Sequence, residues 1–127
     1  MEKHIINTSK APAALGPYSQ AVKVGNLLYT SGQLAINAAT GEFINDDIKK
    51  ATAQSLDNVK ALLDEAGTTL DKVVKTLVLL KDMNDFADMN EVYSQYFSTN
   101  PPARSCVQVS KLPKDALLEI EVIAIVE

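Results

Sequence analysis

At 127 residues the chain is long enough for one domain built around one hydrophobic core. Its apolar share of 46% is ordinary for a globular domain; a net charge of −4, one arginine among twelve basic residues and no tryptophan argue against a broad nucleic-acid-binding face. One histidine (His4) and one cysteine (Cys106) are too few for a structural zinc site or an internal disulfide.

No apolar stretch exceeds strand length, so no membrane span is expected. The segment Met1-Glu2-Lys3-His4-Ile5-Ile6-Asn7 lacks the apolar centre of a signal peptide. Together with the single cysteine, this leads to the expectation of a cytoplasmic protein.

Residues 3–7 read as a short edge strand. Ser9, Pro12, Gly16 and Pro17 then mark a turn-rich segment. Two strand-like runs, Gln20–Val24 and Leu27–Ser31, flank Gly25-Asn26, a two-residue hairpin signal. A further turn covers Ala39–Glu42. Asp46 and Asp47 suit a helix N-terminus. Ile48, Ala51, Leu56, Val59, Leu62, Leu63 and Ala66 continue with helical spacing, and Gly67 supplies the stop. Residues 73–81 read as a strand. A second helix is expected from about Asp82–Asp85, with Phe86, Met89, Val92, Tyr93, Tyr96 and Phe97 on a core-facing side. Asn100-Pro101-Pro102 ends it, and Ala103–Val109 and Leu117–Val126 form two final strands.

The order β, ββ, α, β, α, ββ predicts an α+β fold of ferredoxin-like character over residues 1–127. Two helices cover one face of such a sheet, yet the strands are apolar on both. Leu118, Ile120, Val122, Ala124 and Val126 alternate with Leu117, Ile123 and Ile125, which share their side with Glu119 and Glu121. Likewise Val74, Val78 and Leu80 are expected to oppose Val73, Leu77 and Leu79. An exposed apolar face of this size points to a homo-oligomer that buries it, with Glu119 at or near the interface.

Few residues suit chemistry. Alternation puts Arg104, Cys106 and Gln108 on one side of their strand. A guanidinium grips a carboxylate with two parallel N–H groups, which lysine cannot do. Arg104 is therefore either a substrate clamp or half of an intersubunit salt bridge with Glu119 or Glu121. Glu119, in a strand expected to be central, is a candidate proton carrier or an exposed strand-end charge; Glu121 reads as the latter. Cys106 has no second histidine to activate it and reads as pocket lining. Tyr18, Gln20 and Ser31 gather at the open end of the hairpin beside Gly32, and by themselves read as ordinary hydrogen-bonding strand ends.

Seven segments taken together carry more. They are Gly16-Pro17-Tyr18-Ser19-Gln20-Ala21, Thr30-Ser31-Gly32-Gln33, Gln54-Ser55-Leu56-Asp57-Asn58-Val59, Val74-Lys75-Thr76, Asp85-Phe86, Pro102-Ala103-Arg104-Ser105-Cys106, and Leu112-Pro113-Lys114-Asp115 followed by Glu119-Ile120-Glu121. In this order, over essentially the whole chain, they resemble the Rid (YjgF) family, the RidA subfamily most closely. The resemblance implies a chorismate-mutase-like fold, a six-stranded mixed sheet with two helices on one face, assembled as a homotrimer with sites between subunits. It implies hydrolysis of 2-imino and 2-enamino acids, such as 2-aminoacrylate and 2-iminobutyrate, to 2-keto acids and ammonia, without cofactor or metal. Arg104 would hold the substrate carboxylate and Glu119 would position or activate water. Tyr18, Ser31, Gly32, Phe86, Asn90 and Cys106 would line the pocket. Pro101 departs from the aromatic residue many relatives carry, which bears on pocket shape. Other roles in the family, as a small-carboxylate sensor, a regulator or chaperone, or an endoribonuclease or translation inhibitor, remain alternatives; the acidic charge balance disfavours the ribonuclease.

Overall fold

The computed structural model describes residues 1–127. Its elements are β1 (Lys3–Ile6), β2 (Ala21–Val24), β3 (Leu27–Thr30), α1 (Ile48–Ala66), β4 (Val73–Leu80), α2 (Phe86–Tyr96), β5 (Ala103–Gln108) and β6 (Leu118–Ile125). The strands form one sheet in the order β1-β2-β3-β6-β4-β5. Every pair is antiparallel except β4–β5. A parallel pair needs a crossover, and α2 provides it. This is the expected six-stranded mixed sheet carrying two helices on one face.

Local chemistry explains the elements. Gly25, at φ 59°, takes the left-handed position of the two-residue β2–β3 turn that a side chain disfavours. Asp47 caps α1 by accepting from the backbone N–H groups of Lys49 and Lys50. Gly67 closes the helix at φ 83°, its N–H returning to Asp64 and Leu63. Leu56, Val59, Leu62 and Leu63 of α1 are fully buried against Leu28, Val78, Leu80, Leu118, Ile120 and Ala124 of the sheet. Each such side chain contributes about 2 kcal/mol, so packing, more than helix propensity, holds α1 in place.

The strand parity holds in β6 and fails at one end of β4. Leu118, Ile120, Val122 and Ala124 all point into the helix-covered core. In β4 the buried set is Val73, Thr76, Val78 and Leu80, whereas Val74 is 41% exposed. Simple alternation predicts Val73 on the side of Leu77 and Leu79 and Val74 with Val78 and Leu80; the structure buries Val73 and exposes Val74 instead. Val73 pairs with Ala124 and Lys75 with Ile123, so Val74 is an extra residue, a β-bulge that reverses the parity behind it.

The other side of the sheet carries no helix. Ile5, Tyr29 and Val107 are 54%, 44% and 44% exposed there, around half-buried Leu77, Leu79 and Ile123. Lys75, Glu119 and Glu121 share that face.

Beyond β3 the chain leaves the sheet and rejoins it. The Thr30 hydroxyl accepts from the Val122 N–H (3.0 Å), replacing a ladder bond, and Gln33 then pairs with Ile120 through two backbone hydrogen bonds. The stretch 33–36 is fastened to α1: Ser55 Oγ donates to the Gln33 carbonyl (2.7 Å), and Asn58 Nδ2 donates to the Leu34 and Ile36 carbonyls (3.0 and 2.9 Å).

Candidate functional site

Arg104 enters the site region from β5, the edge strand. Its register partner is the buried Thr76 of β4, so its side chain lies on the helix-covered face, under α2. There it is held on three sides. The guanidinium carbon is 4.7 Å from the Tyr93 ring centre and 5.4 Å from that of Phe86. Nη1 donates to Asn90 Oδ1 at 2.8 Å. No carboxylate lies within salt-bridge distance of it in the protomer, so donor groups remain for an incoming anion. Cys106, two residues on, is half-buried on the same face; burial pushes its thiol up, and the Arg104 guanidinium pulls the other way. A thiol so placed is a weak nucleophile at neutral pH. Gln108 ends the row, its Oε1 accepting from the Met83 N–H (2.7 Å) and tying the approach to α2 against β5.

Glu119 belongs to the opposite face. It pairs with Leu79 in β6–β4, one step out of phase with the buried Leu118 and Ile120. Its carboxyl is half-buried against Gly32, which runs alongside β6 because Gln33 pairs with Ile120. A Cβ on Gly32 would come within 2.6 Å of Glu119 Cγ and closer still to the carboxyl. Gly32 is thus glycine because the acid occupies the space of a side chain. Burial raises the Glu119 pKa, and the neighbouring Glu121 carboxylate raises it further.

Gly32 also lines a shallow cleft with Tyr18, Pro12, Leu15 and Leu34. Tyr18 is half exposed, and its hydroxyl accepts from the Leu15 N–H (3.1 Å). Ser31 Oγ donates to the Ser19 carbonyl (2.6 Å), and Ser31 N–H to the Gln20 carbonyl (2.9 Å). Gln20 is 4% exposed; its side chain bonds the backbone at Thr8, Ala11 and Pro12 and so anchors the loop that carries Tyr18.

The eight candidate residues therefore fall into two groups. Arg104, Phe86, Asn90 and Cys106 gather beneath α2. Glu119, Gly32, Ser31 and Tyr18 gather around the segment after β3. One protomer does not bring Arg104 and Glu119 together: β4 lies between their strands and they face opposite sides of the sheet.

Comparison with known proteins decides the family. A family model described as Endoribonuclease L-PSP matches residues 8–126. A crystal structure of a conserved Rid-family protein of unknown function, YyfA from Yersinia pestis, superposes with a TM-score of 0.95 at 51% identity, covering 98% of this chain and 100% of that one. The chain belongs to the Rid (YjgF) family.

Rid relatives match over nearly their whole length. A RutC family protein of Pyrococcus abyssi is 56% identical over 124 residues, 98% of each chain. The 2-iminobutanoate/2-iminopropanoate deaminase of Escherichia coli is 50% identical over 123 residues, 94% of this chain and 95% of its own. The structure of E. coli TdcF with bound serine has a TM-score of 0.93 at 46% identity, covering 98% of this chain and 99% of that one.

In this Rid chain two kinds of residue at the site escaped sequence reasoning. Tyr93 is core, 5% exposed, and also a platform for Arg104. Its helical spacing signals only the first role. Ser55 and Asn58 belong to a motif segment whose letters name no task; both hold the strand-like stretch next to Gly32. Their polarity on the buried face of α1 was the available signal.

Proposed function

We propose that this protein hydrolyses small 2-imino and 2-enamino acids to 2-keto acids and ammonia. The observation that carries this reading is Arg104, a guanidinium fixed on two aromatic rings with no carboxylate partner in its own protomer. It suits a planar substrate carboxylate. The 50% identical deaminase and the serine-bound TdcF structure support the same chemical class.

The reaction asks little of the protein. An imine carbon is electrophilic, so water adds to it while a base removes a proton from that water. The base returns that proton to the nitrogen, giving an amino alcohol; the hydroxyl proton then passes to the nitrogen as the C–N bond breaks and the C=O bond forms, leaving the keto acid and ammonia. Arg104 orients the substrate, and Glu119 takes and returns the proton. An enamine enters the same route after protonation at its β-carbon. Tyr18, Ser31, Gly32, Phe86, Asn90 and Cys106 shape the pocket.

Because Arg104 and Glu119 face apart, the reading requires a second copy to supply the missing half. The helix-free apolar face favours such assembly, and we take the assembly to be a homotrimer with three shared sites. The single thiol, Cys106, suits a reducing cytoplasm. The family description as an endoribonuclease finds little support in the residues: the chain is acidic overall, and its one arginine sits under α2.

The test couples the protein to threonine dehydratase with threonine and follows decay of 2-iminobutyrate. Acceleration over buffer that disappears in Arg104→Ala is expected. No acceleration, or full activity in that variant, rejects the reading; binding of the keto acid without turnover points instead to a sensor.

A further inference from the structure

Tyr93 has a place in the fold that core packing does not account for. Its ring packs on Phe97 with centres 4.7 Å apart, as a core residue's would. Its hydroxyl, however, meets the Thr76 hydroxyl at 2.7 Å in the buried interior. Thr76 is fully buried on β4 and is the direct register partner of Arg104 on β5. The Tyr93 ring in turn lies 4.7 Å from the Arg104 guanidinium carbon, nearer than Phe86. The three residues close a loop: backbone pairing sets Thr76 against Arg104, Thr76 fixes the tyrosine ring, and the ring supports the guanidinium.

A phenylalanine would fill the same space, and a valine at position 76 would bury as well. Two hydroxyls inside the core cost desolvation unless they bond each other. Their pairing yields a defined ring orientation, and that orientation matters to the one group resting on it. A cation over an aromatic face is held most strongly where water is excluded. With Asn90 engaging Nη1, the guanidinium has lost much of its freedom before any ligand arrives.

We infer that Tyr93, locked by Thr76, is a positioning residue that sets the plane of the Arg104 guanidinium and so the affinity for the substrate's carboxylate. This rests on the carboxylate-clamp reading given above and adds to it the pair that tunes the clamp. Tyr93 does not touch the reacting atoms; it acts through Arg104.

The experiment measures binding of 2-oxobutanoate and of its uncharged analogue 2-oxobutanamide by calorimetry or NMR, and steady-state kinetics with 2-iminobutyrate. Variants are Tyr93→Phe, Thr76→Val, the double variant and Tyr93→Leu. Tyr93→Leu is expected to weaken 2-oxobutanoate and raise KM about tenfold, with kcat within about twofold and the amide's affinity unchanged. Tyr93→Phe and Thr76→Val each should weaken the carboxylate about threefold, and the double variant no more than either alone. Tyr93→Phe keeps the ring's volume, so it reports even if the leucine variant folds poorly. Unchanged carboxylate affinity, equal loss for acid and amide, or a loss confined to kcat would overturn the assignment of Tyr93 alone. Failure of the wild type to bind 2-oxobutanoate would overturn the clamp reading with it.

Discussion

Arg104 and Glu119 stand on strands separated only by β4, and their side chains leave the sheet in opposite directions. A site that uses both must take them from different copies. Mixing unfolded Arg104→Ala and Glu119→Gln chains and refolding them together should therefore restore activity that neither variant has. Random assembly leaves about a quarter of the shared sites with both groups. Recovery near that fraction is expected in the imine assay; no recovery, with assembly verified by light scattering, would place both groups in one copy's site.

The raised pKa of Glu119 fixes the sign of a pH effect. As a base it works ionised, so kcat/KM should fall on the acid side at a pH above the usual carboxylate range. Removing the like charge next door, in Glu121→Gln, should move that limb to lower pH. Stability runs the other way. A carboxyl raised in the fold contributes fully below its unfolded pKa, and that contribution is lost as pH rises through the folded value. Glu119→Gln is accordingly expected to melt no lower than wild type at pH 7 in a thermal scan.

Gly32→Ala tests whether the acid's seat is as tight as it looks. The new methyl overlaps the Glu119 carboxyl, which has to swing away. The expected stability loss is about 1–3 kcal/mol. Displacement of the carboxyl should lower kcat on the order of 10–100-fold, with binding of 2-oxobutanoate at Arg104 much less affected. A variant with unchanged kcat would remove Glu119 from the proton path.

Asn58 links α1 to the segment behind Gly32. It is 2% exposed, and its amide serves two carbonyls at once while accepting from Gln54 Nε2 at 2.9 Å. Asn58→Ala should cost about 2–3 kcal/mol in urea unfolding, chiefly from carbonyls left without donors. Exposed Asn84→Ala is the control expected near zero. A loss under about 0.5 kcal/mol would mean that water replaces the amide.

Much of the fold was readable because two periods dominate it. The stripe from Ile48 to Ala66 has no strand alternative, and Gly25-Asn26 between two alternating runs leaves little but a hairpin. Alternation misplaces Val73 because a bulge adds one residue without any marker in the local letters. For the site, Arg104 stood out by its rarity and Glu119 by its place among aliphatic residues. Which faces they share was not readable. Alternation ranks the residues within one strand, while the phase between strands comes from pairing, and Thr76 opposite Arg104 is a fact of register. Tyr93 stayed hidden for a simpler reason: a residue with two duties shows the pattern of the commoner one.

The bulge at Val74 has a wider meaning. The strand absorbs one surplus residue there and is back in step by Lys75, so Thr76 keeps its place opposite Arg104. Changes in chain length between the turn at Leu70–Lys72 and the bulge need not propagate into the stretch that seats the guanidinium. That end of β4 is where evolution, or a protein engineer inserting a residue, can alter the count without rewriting the chemistry.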